Sequence, residues 1–376
     1  CLAIFQSAEH ANLLRISLVS TAMTVVIEPF YAHLRYQEKA IKFVILTVIG
    51  AVFGASVSVV FVIVLGWGVA GLLLAGLLGQ VLTAIMVAAS VARHLEPGID
   101  KSLFLPLVRI GFPSIFGLFA FLVIDYMDRQ MLQRMIDLDA VGVYSVGYNL
   151  ALVMLIAVSA FGMAWPPFFI SFIKRQDEAK ELFAKILSYY LIVFGMLTAL
   201  FFVAARPLVA ILAPEFAAAA QIIGLVAAAY MLKGVYLILL PGVVFAKKLH
   251  WQSAVEWAAA LANIGLNLLL IPRLGIVGAA AATLASYSLM TILAWAVARR
   301  YLAVRYDWRR IVVAGGGLVA ACAWISWASA HLSLAGLAIH SLLALCALFL
   351  VFGFMVLDSG ERGALAARAA QAFQRS

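Results

Sequence analysis

Charged residues are scarce in this chain. Asp, Glu, Lys and Arg make up 11% of its 376 residues, hydrophobic residues make up 66%, and the mean hydropathy is +1.10. A water-soluble domain carries about a quarter charged residues and is about half apolar. The scarcity of charge therefore excludes an ordinary soluble protein and indicates a membrane.

Sequence features of several enzyme classes are also missing. The three cysteines, two of them (Cys322 and Cys346) inside apolar runs, do not form a disulfide framework. The chain has no Gly-x-x-x-x-Gly-Lys phosphate loop, no Gly-x-Ser-x-Gly segment and no metal-binding pair among its six histidines. We therefore predict a protein that is not an enzyme and has no metal site and no cofactor.

Long apolar runs dominate what is present. About twenty helical residues cross a hydrocarbon core of about 30 Å, and helices satisfy their own backbone hydrogen bonds in lipid. We predict an all-α, polytopic helical membrane protein with about eleven membrane-spanning helices. The eleven apolar runs are 11–33, 40–65, 67–92, 103–124, 140–165, 182–205, 217–245, 250–271, 275–298, 309–330 and 334–357.

The chain has a formal net charge of +9, and its basic residues are distributed unevenly between the loops. Alternate loops and the C-terminal tail hold twenty of the 26 Lys and Arg residues, whereas the opposite loops hold only four. Because basic residues mark the cytoplasmic side, the C-terminus is predicted to be cytoplasmic and residues 1–10 to lie outside. The charge thus indicates topology and not a nucleic-acid partner.

The chain also contains an internal repeat. Pro29 corresponds to Pro241 at an offset of 212, and Gly68 and Gly71 correspond to Gly275 and Gly278 at an offset of 207. Both copies begin in the same direction across the membrane, so the repeat is parallel. Repeats of this kind build transporters from two bundles. We expect two parallel-repeat bundles around a central cavity.

The first copy shows three helices where the second shows six. Since the chain also begins with Cys1 and not with Met, we expect that three helices are missing in front and that the whole protein has fourteen. The predicted organisation comprises a remnant of the first lobe with its last three helices, a second six-helix lobe, two appended C-terminal helices and a cytoplasmic tail, at 1–98, 99–300, 301–357 and 358–376.

Lys233 is the sharpest candidate for a functional residue. It lies about a dozen residues, or roughly 18 Å, from the cytoplasmic end of its helix. An ammonium facing lipid there would cost several kcal/mol or more, so it should face the bundle interior. Lys233 is predicted to bind an anionic head group in a central cavity. The alternative is a buried lysine paired with a structural carboxylate.

Other polar residues within the apolar runs are weaker candidates for the substrate cavity. Arg15 lies one turn from an outer helix end. Glu28 is a candidate proton carrier or partner for Lys233. Glu256 is expected to anchor its helix at the interface, with a functional role as the alternative. The remaining candidates offer either sugar contacts or interhelical hydrogen bonds: Tyr148, Asn149, Asn263 and Asn267.

Asp125, Asp128 and Arg129 share one helical face at the end of the 103–124 run. They form either an outer gate or a solvated helix end, followed by a predicted outward loop at 126–139. Four prolines interrupt helical hydrogen bonding and are candidate hinges for a rocking motion, or else packing bends: Pro29, Pro113, Pro166 and Pro241.

Three segments carry a resemblance to a known family: RIGFPSI (109–115), DRQMLQRMIDLDAVGVYSVGYNLA (128–151) and ANIGLNLLLIPRLGIVGAAAATLASYSL (262–289). Over its whole length the chain resembles the polysaccharide flippases, including O-antigen flippases, of the multidrug/oligosaccharidyl-lipid/polysaccharide exporter superfamily. The last segment is the most specific of the three.

The resemblance implies a flippase in the bacterial cytoplasmic (inner) membrane, serving O-antigen and lipopolysaccharide biosynthesis. Its cargo would be an undecaprenyl-diphosphate-linked oligosaccharide, moved from the inner to the outer face by alternating access. Expected partners are this lipid-linked oligosaccharide and membrane lipids, with coupling to protons or sodium and association with polysaccharide polymerase machinery as further expectations.

Two alternatives stay open. A lipid II flippase or multidrug exporter of the same superfamily shares the expected fold. A membrane glycosyltransferase or polysaccharide polymerase is a different class, and it should carry catalytic motifs in a large outer loop.

Overall fold

The computed structural model describes residues 11–37, 39–92 and 101–356, and all regular structure in these ranges is helical. Nine of the described segments are long and apolar enough to cross a membrane. The predicted all-α membrane fold is confirmed. Cys1, Arg93 and the predicted tail at 358–376 lie outside the described residues.

The chain divides into two compact units, unit 1 up to Lys101 and unit 2 from Ser102. Unit 1 contains three helices, α1 (Ala11–Tyr36), α2 (Ala40–Val59) and α3 (Gly68–Val91). A π-helical turn at Val60–Val64 extends α2.

Small residues set the spacing of α2 and α3. A Cβ added at Gly79 would lie 3.0 Å from the carbonyl oxygen of Gly50 and 3.1 Å from the Cα of Gly54. Because any larger side chain would force the backbones apart, these glycines allow the close helix approach that is common in membranes.

Unit 2 contains the remaining helices: α4 (Lys101–Met135), α5 (Leu138–Ile170), α6 (Gln176–Leu212), α7 (Ala220–Leu239) after a 3₁₀ segment (Pro214–Ala219), the short α8 (Pro241–Phe245), α9 (Leu249–Ala298), α10 (Trp308–His331) and α11 (Leu334–Val351). Helix α7 lies at the centre, packed against α5, α6 and α9. It is the most enclosed of the nine candidate spans, so any charge on it must be compensated by protein.

The predicted outward loop at 126–139 is wrong. Helix α4 continues to Met135, and α5 begins at Leu138. The segment from Arg129 to Met135 consists of residues that favour helix, namely Arg, Gln, Met and Leu. The Asp128 carboxylate, which suggested a solvated loop, is instead buried and accepts a hydrogen bond from the Tyr144 hydroxyl.

Helix α9 has 50 residues and would measure ~75 Å if straight, far more than one crossing of a hydrocarbon core needs. It bends at Gly275, whose φ of 58° and ψ of −135° are open to glycine and strained for other residues. The two apolar runs predicted at 250–271 and 275–298 lie on either side of this bend.

The last two helices pack against α6. Arg206 of α6 donates from Nη1 to the carbonyl oxygens of Ser329, at 2.9 Å, and Leu332, at 2.8 Å. These carbonyls lie at the C-terminal end of α10, which α10 itself leaves unpaired. Arg206 therefore ties the end of α10 to α6.

Replacing Gly275 with Ala should destabilise the protein, because the bend requires a positive φ that costs about 1–3 kcal/mol for a residue with a Cβ. Thermal unfolding in detergent measures the effect. Gly265→Ala is the control, since a Cβ there meets no described atom within 4 Å and the change favours helix. Equal midpoints for the two variants would contradict the bend.

Candidate functional site

Lys233 lies on α7 and points into unit 2. Its ammonium nitrogen lies 4.6 Å from the ring centre of Phe121 and 5.9 Å from the ring centres of both Tyr230 and Tyr287. Aromatic faces attract a cation at such distances. Two carboxylates, Asp125 of α4 and Glu256 of α9, act electrostatically on this ammonium. Lys233 is thus packed against aromatic rings, and acidic groups from two different helices act on its charge.

Asp125 joins four helices through hydroxyl groups. Its Oδ1 accepts hydrogen bonds from Tyr148 of α5, at 3.1 Å, and from Tyr287 of α9, at 3.2 Å. The Tyr230 hydroxyl of α7 donates to that of Tyr148 at 2.9 Å. Hydrogen bonds to the charged form stabilise a carboxylate away from water, so the tyrosines hold Asp125 in place.

Asp128 and Arg129 form the neighbouring part of the cluster. Asp128 is fully buried and accepts hydrogen bonds from the Tyr144 hydroxyl and from the Arg129 amide, the latter at 2.7 Å. The Arg129 guanidinium lies 4.2 Å from the ring centre of Tyr148. The alternative of a solvated helix end is therefore wrong for Asp128. The role of an outer gate stays a prediction.

Glu256 is buried among other side chains, whereas a residue that anchors its helix at the interface is expected to be exposed. Only 2% of its surface is exposed. Its Oε1 accepts from the Tyr236 hydroxyl at 2.6 Å and from Gln252 Nε2 at 3.1 Å. A Cβ at Gly117 of α4 would overlap the carboxylate, so this glycine makes room for Glu256. The position of Glu256 along α9 suggested an anchor. Position along a helix does not show which of its faces packs against other helices.

Asn263 and Asn267 follow Glu256 on the same face of α9, and both are fully buried. Asn267 Nδ2 donates to Asn263 Oδ1 at 3.0 Å. Within the described part of the chain, Asn263 Nδ2 and Asn267 Oδ1 have no hydrogen-bond partner. Because an unpaired buried amide is costly, these two atoms are candidates to contact an ion or a substrate.

The structure shows other surroundings for the remaining predicted site residues. Arg15 is exposed and donates to Asn12 Oδ1 at 3.3 Å, and the exposed Glu28 forms an ion pair with Arg35. Asn149 is exposed, whereas Tyr148 beside it is buried.

The four prolines differ in their positions. Pro29, Pro113 and Pro166 lie within α1, α4 and α5, whereas Pro241 begins α8 where α7 ends. Hinge roles for all four stay predictions.

Tyr230, Tyr236 and Tyr287 were not predicted. Tyr230 and Tyr236 lie three residues before and three residues after Lys233, a spacing that places all three on one helical face. That spacing was a signal in the sequence. Tyr287, in contrast, reaches the site only through the bend of α9.

A comparison with protein families decides the affiliation. The family described as "Polysaccharide biosynthesis protein" matches residues 2–212, more than half of the chain. This chain belongs to that family. A search of curated protein sequences finds no match for this member.

Solved structures show which fold this polysaccharide biosynthesis family member has. A mutant form of the MATE transporter VcmN from Vibrio cholerae is 19% identical, with a TM-score of 0.64 over 81% of this chain and 73% of that one. The lipid II flippase MurJ in an inward closed conformation is 12% identical, with a TM-score of 0.63 over 91% of this chain and 74% of that one.

A third structure agrees with these two. An outward-facing multidrug resistance MATE family transporter of the MOP superfamily is 17% identical, with a TM-score of 0.58 over 80% of this chain and 72% of that chain. The chain therefore has the fold of these transporters.

Gly117→Ala should lower the thermal unfolding midpoint, because the new methyl group displaces the Glu256 carboxylate from Tyr236 or Gln252. Losing such a bond costs about 1–3 kcal/mol in a buried site. Gly111→Ala on the same helix is the control, since a Cβ there meets no described atom within 4 Å. Identical midpoints would show that Glu256 is free to move.

Proposed function

We propose that this chain is a flippase that moves an undecaprenyl-diphosphate-linked oligosaccharide from the inner to the outer face of the bacterial cytoplasmic membrane by alternating access. The family match supports a role in polysaccharide biosynthesis, and the fold supports transport. The observation that carries the proposal is Lys233, a lysine in the most enclosed helix whose ammonium packs against the rings of Phe121 and Tyr287.

The cargo explains why a lysine is useful there. Each charge placed at mid-bilayer costs at least several kcal/mol, and a diphosphate is an anion attached to a polar sugar chain. A cation and polar helix faces replace part of the hydration that both lose. Lys233 supplies the cation, and the buried Asn263 and Asn267 supply amides with unpaired atoms.

Competition for Lys233 links transport to an ion gradient. With Asp125 and Glu256 charged, the ammonium is already compensated. When a proton or a sodium ion neutralises them, the ammonium is free to attract the diphosphate. Uptake and release of that ion then switch the affinity for cargo, which is the differential binding that a conformational cycle requires.

Two further sources of energy for transport need no nucleotide, in agreement with a sequence that has no phosphate loop. An inside-negative membrane potential favours outward movement of an anion by about 2.3 kcal/mol per charge per 100 mV. Consumption of the product by polysaccharide polymerase machinery would also draw the cargo outward.

A lipid II flippase is the second candidate, because the match to MurJ extends over 91% of this chain. A glycosyltransferase would need a large outer loop for its catalytic motifs. Only two residues separate α4 from α5, where the sequence predicts an outward loop.

Lys233→Ala should abolish or strongly reduce complementation of a flippase-null strain, since the cargo loses its cation. Surface polysaccharide is measured after the variant is shown to reach the membrane at normal levels. Lys180→Ala, which removes an exposed lysine, is the control and should complement fully. Full complementation by a normally expressed Lys233→Ala protein would exclude Lys233 from the mechanism.

Asp125→Asn should make transport insensitive to the coupling ion, because Lys233 then stays partly free throughout the cycle. Transport of a lipid-linked oligosaccharide into vesicles is measured with imposed proton or sodium gradients. Asp139→Asn, at an exposed carboxylate in the first turn of α5, is the control. An unchanged response to both gradients would place the coupling elsewhere.

A further inference from the structure

A cavity with apolar and polar lining residues lies in unit 2 at the end away from the loops rich in Lys and Arg. Its volume is about 730 Å³, within the range of ligand pockets in proteins. It is formed by α6, the 3₁₀ segment, α7 and α10, together with the start of the second half of α9. The polar lining residues are Arg206, Gln221, Ser326 and Ser329.

The depth of this cavity matches the head groups of one membrane leaflet. Arg206 lies thirty residues after Gln176, where α6 begins, or ~45 Å along a helix axis. A hydrocarbon core is only about 30 Å thick. If α6 begins at the side marked by the basic loops, Arg206 has passed the hydrocarbon and lies level with the phosphates of the opposite leaflet.

Arg206 is bound by carbonyl groups and not by a carboxylate within the described part of the chain. Its Nη1 donates to two carbonyl oxygens, which fixes the guanidinium without neutralising it. Among the residues that the structure describes, no carboxylate forms an ion pair with Arg206. A guanidinium fixed in this way presents its remaining donors in a planar arrangement that fits phosphate.

The rest of the lining fits the remainder of a lipid. Phe202 and Leu225 give an apolar wall beside Arg206, and Ser326 on α10 is exposed at the cavity surface. An apolar wall next to a cation suits an amphipathic molecule better than a free ion, because the wall gains by covering an acyl chain. The hydroxyl groups and the Gln221 amide suit the glycerol and ester oxygens.

We propose that this cavity binds an anionic glycerophospholipid, with its phosphate at Arg206 and an acyl chain along Phe202 and Leu225. The bound lipid contacts both α6 and α10 and so braces the last two helices against the rest of unit 2. This site is separate from the Lys233 network and does not depend on the proposed transport function.

The test titrates the purified full chain in detergent with dioleoyl phosphatidylglycerol and follows the thermal unfolding midpoint. Dioleoyl phosphatidylcholine and inorganic phosphate are titrated separately. We expect phosphatidylglycerol to raise the midpoint more than the other two do. Arg206→Gln should weaken this effect about tenfold or more, as expected for a lost charge-assisted hydrogen bond. Arg273→Gln, at an exposed arginine near the bend of α9, should leave it unchanged.

Arg206→Gln also removes the hydrogen bonds to the end of α10 and can therefore fold poorly. A second variant, Ser326→Leu, keeps the test decisive in that case. Ser326→Leu fills the cavity without touching those bonds and should also weaken the phosphatidylglycerol effect. Three results would overturn the proposal: an equal shift with phosphatidylcholine, the same shift with inorganic phosphate alone, or an undiminished phosphatidylglycerol effect in Ser326→Leu.

Discussion

Charge inside a membrane-spanning helix has to be compensated within the protein, and the interior of unit 2 is arranged around this constraint. Lys233 lies on α7, the most enclosed candidate span, with aromatic rings against its ammonium and the charges of Asp125 and Glu256 acting on it. Tyrosine hydroxyls in turn satisfy these carboxylates. Four helices therefore contribute to one electrostatic cluster, and none of them can be repositioned without changing the balance of charge.

This arrangement explains how the family assignment and the site chemistry fit together. Under the proposed function, this member of a polysaccharide biosynthesis family with a transporter fold has to carry an anionic lipid-linked sugar through a region that excludes charge. In that proposal Lys233 meets this need, since its attraction for phosphate depends on whether a proton or another ion is bound at Asp125 and Glu256.

Much of the fold was predictable because lipid imposes a simple rule on length and polarity. The apolar runs predict the helices. Gly275, which corresponds to Gly68 in the internal repeat, lies at the bend of α9. The same rule on polarity gives the wrong prediction of a loop at 126–139. A charged residue ordinarily indicates solvent, but Asp128 is buried against Tyr144. The burial of Glu256 is not predictable in the same way, because the sequence does not show which helices pack against it.

The central claim is that Lys233 is energetically coupled to Asp125 and Glu256. Double-mutant cycles of thermal or denaturant unfolding measure this directly, with Lys233→Met combined in turn with Asp125→Asn and with Glu256→Gln. The account predicts that Lys233→Met alone is strongly destabilising, by about 3–5 kcal/mol for a buried charge left alone, and that each second change recovers part of the loss. Free energies that simply add, within about 0.5 kcal/mol, would contradict it.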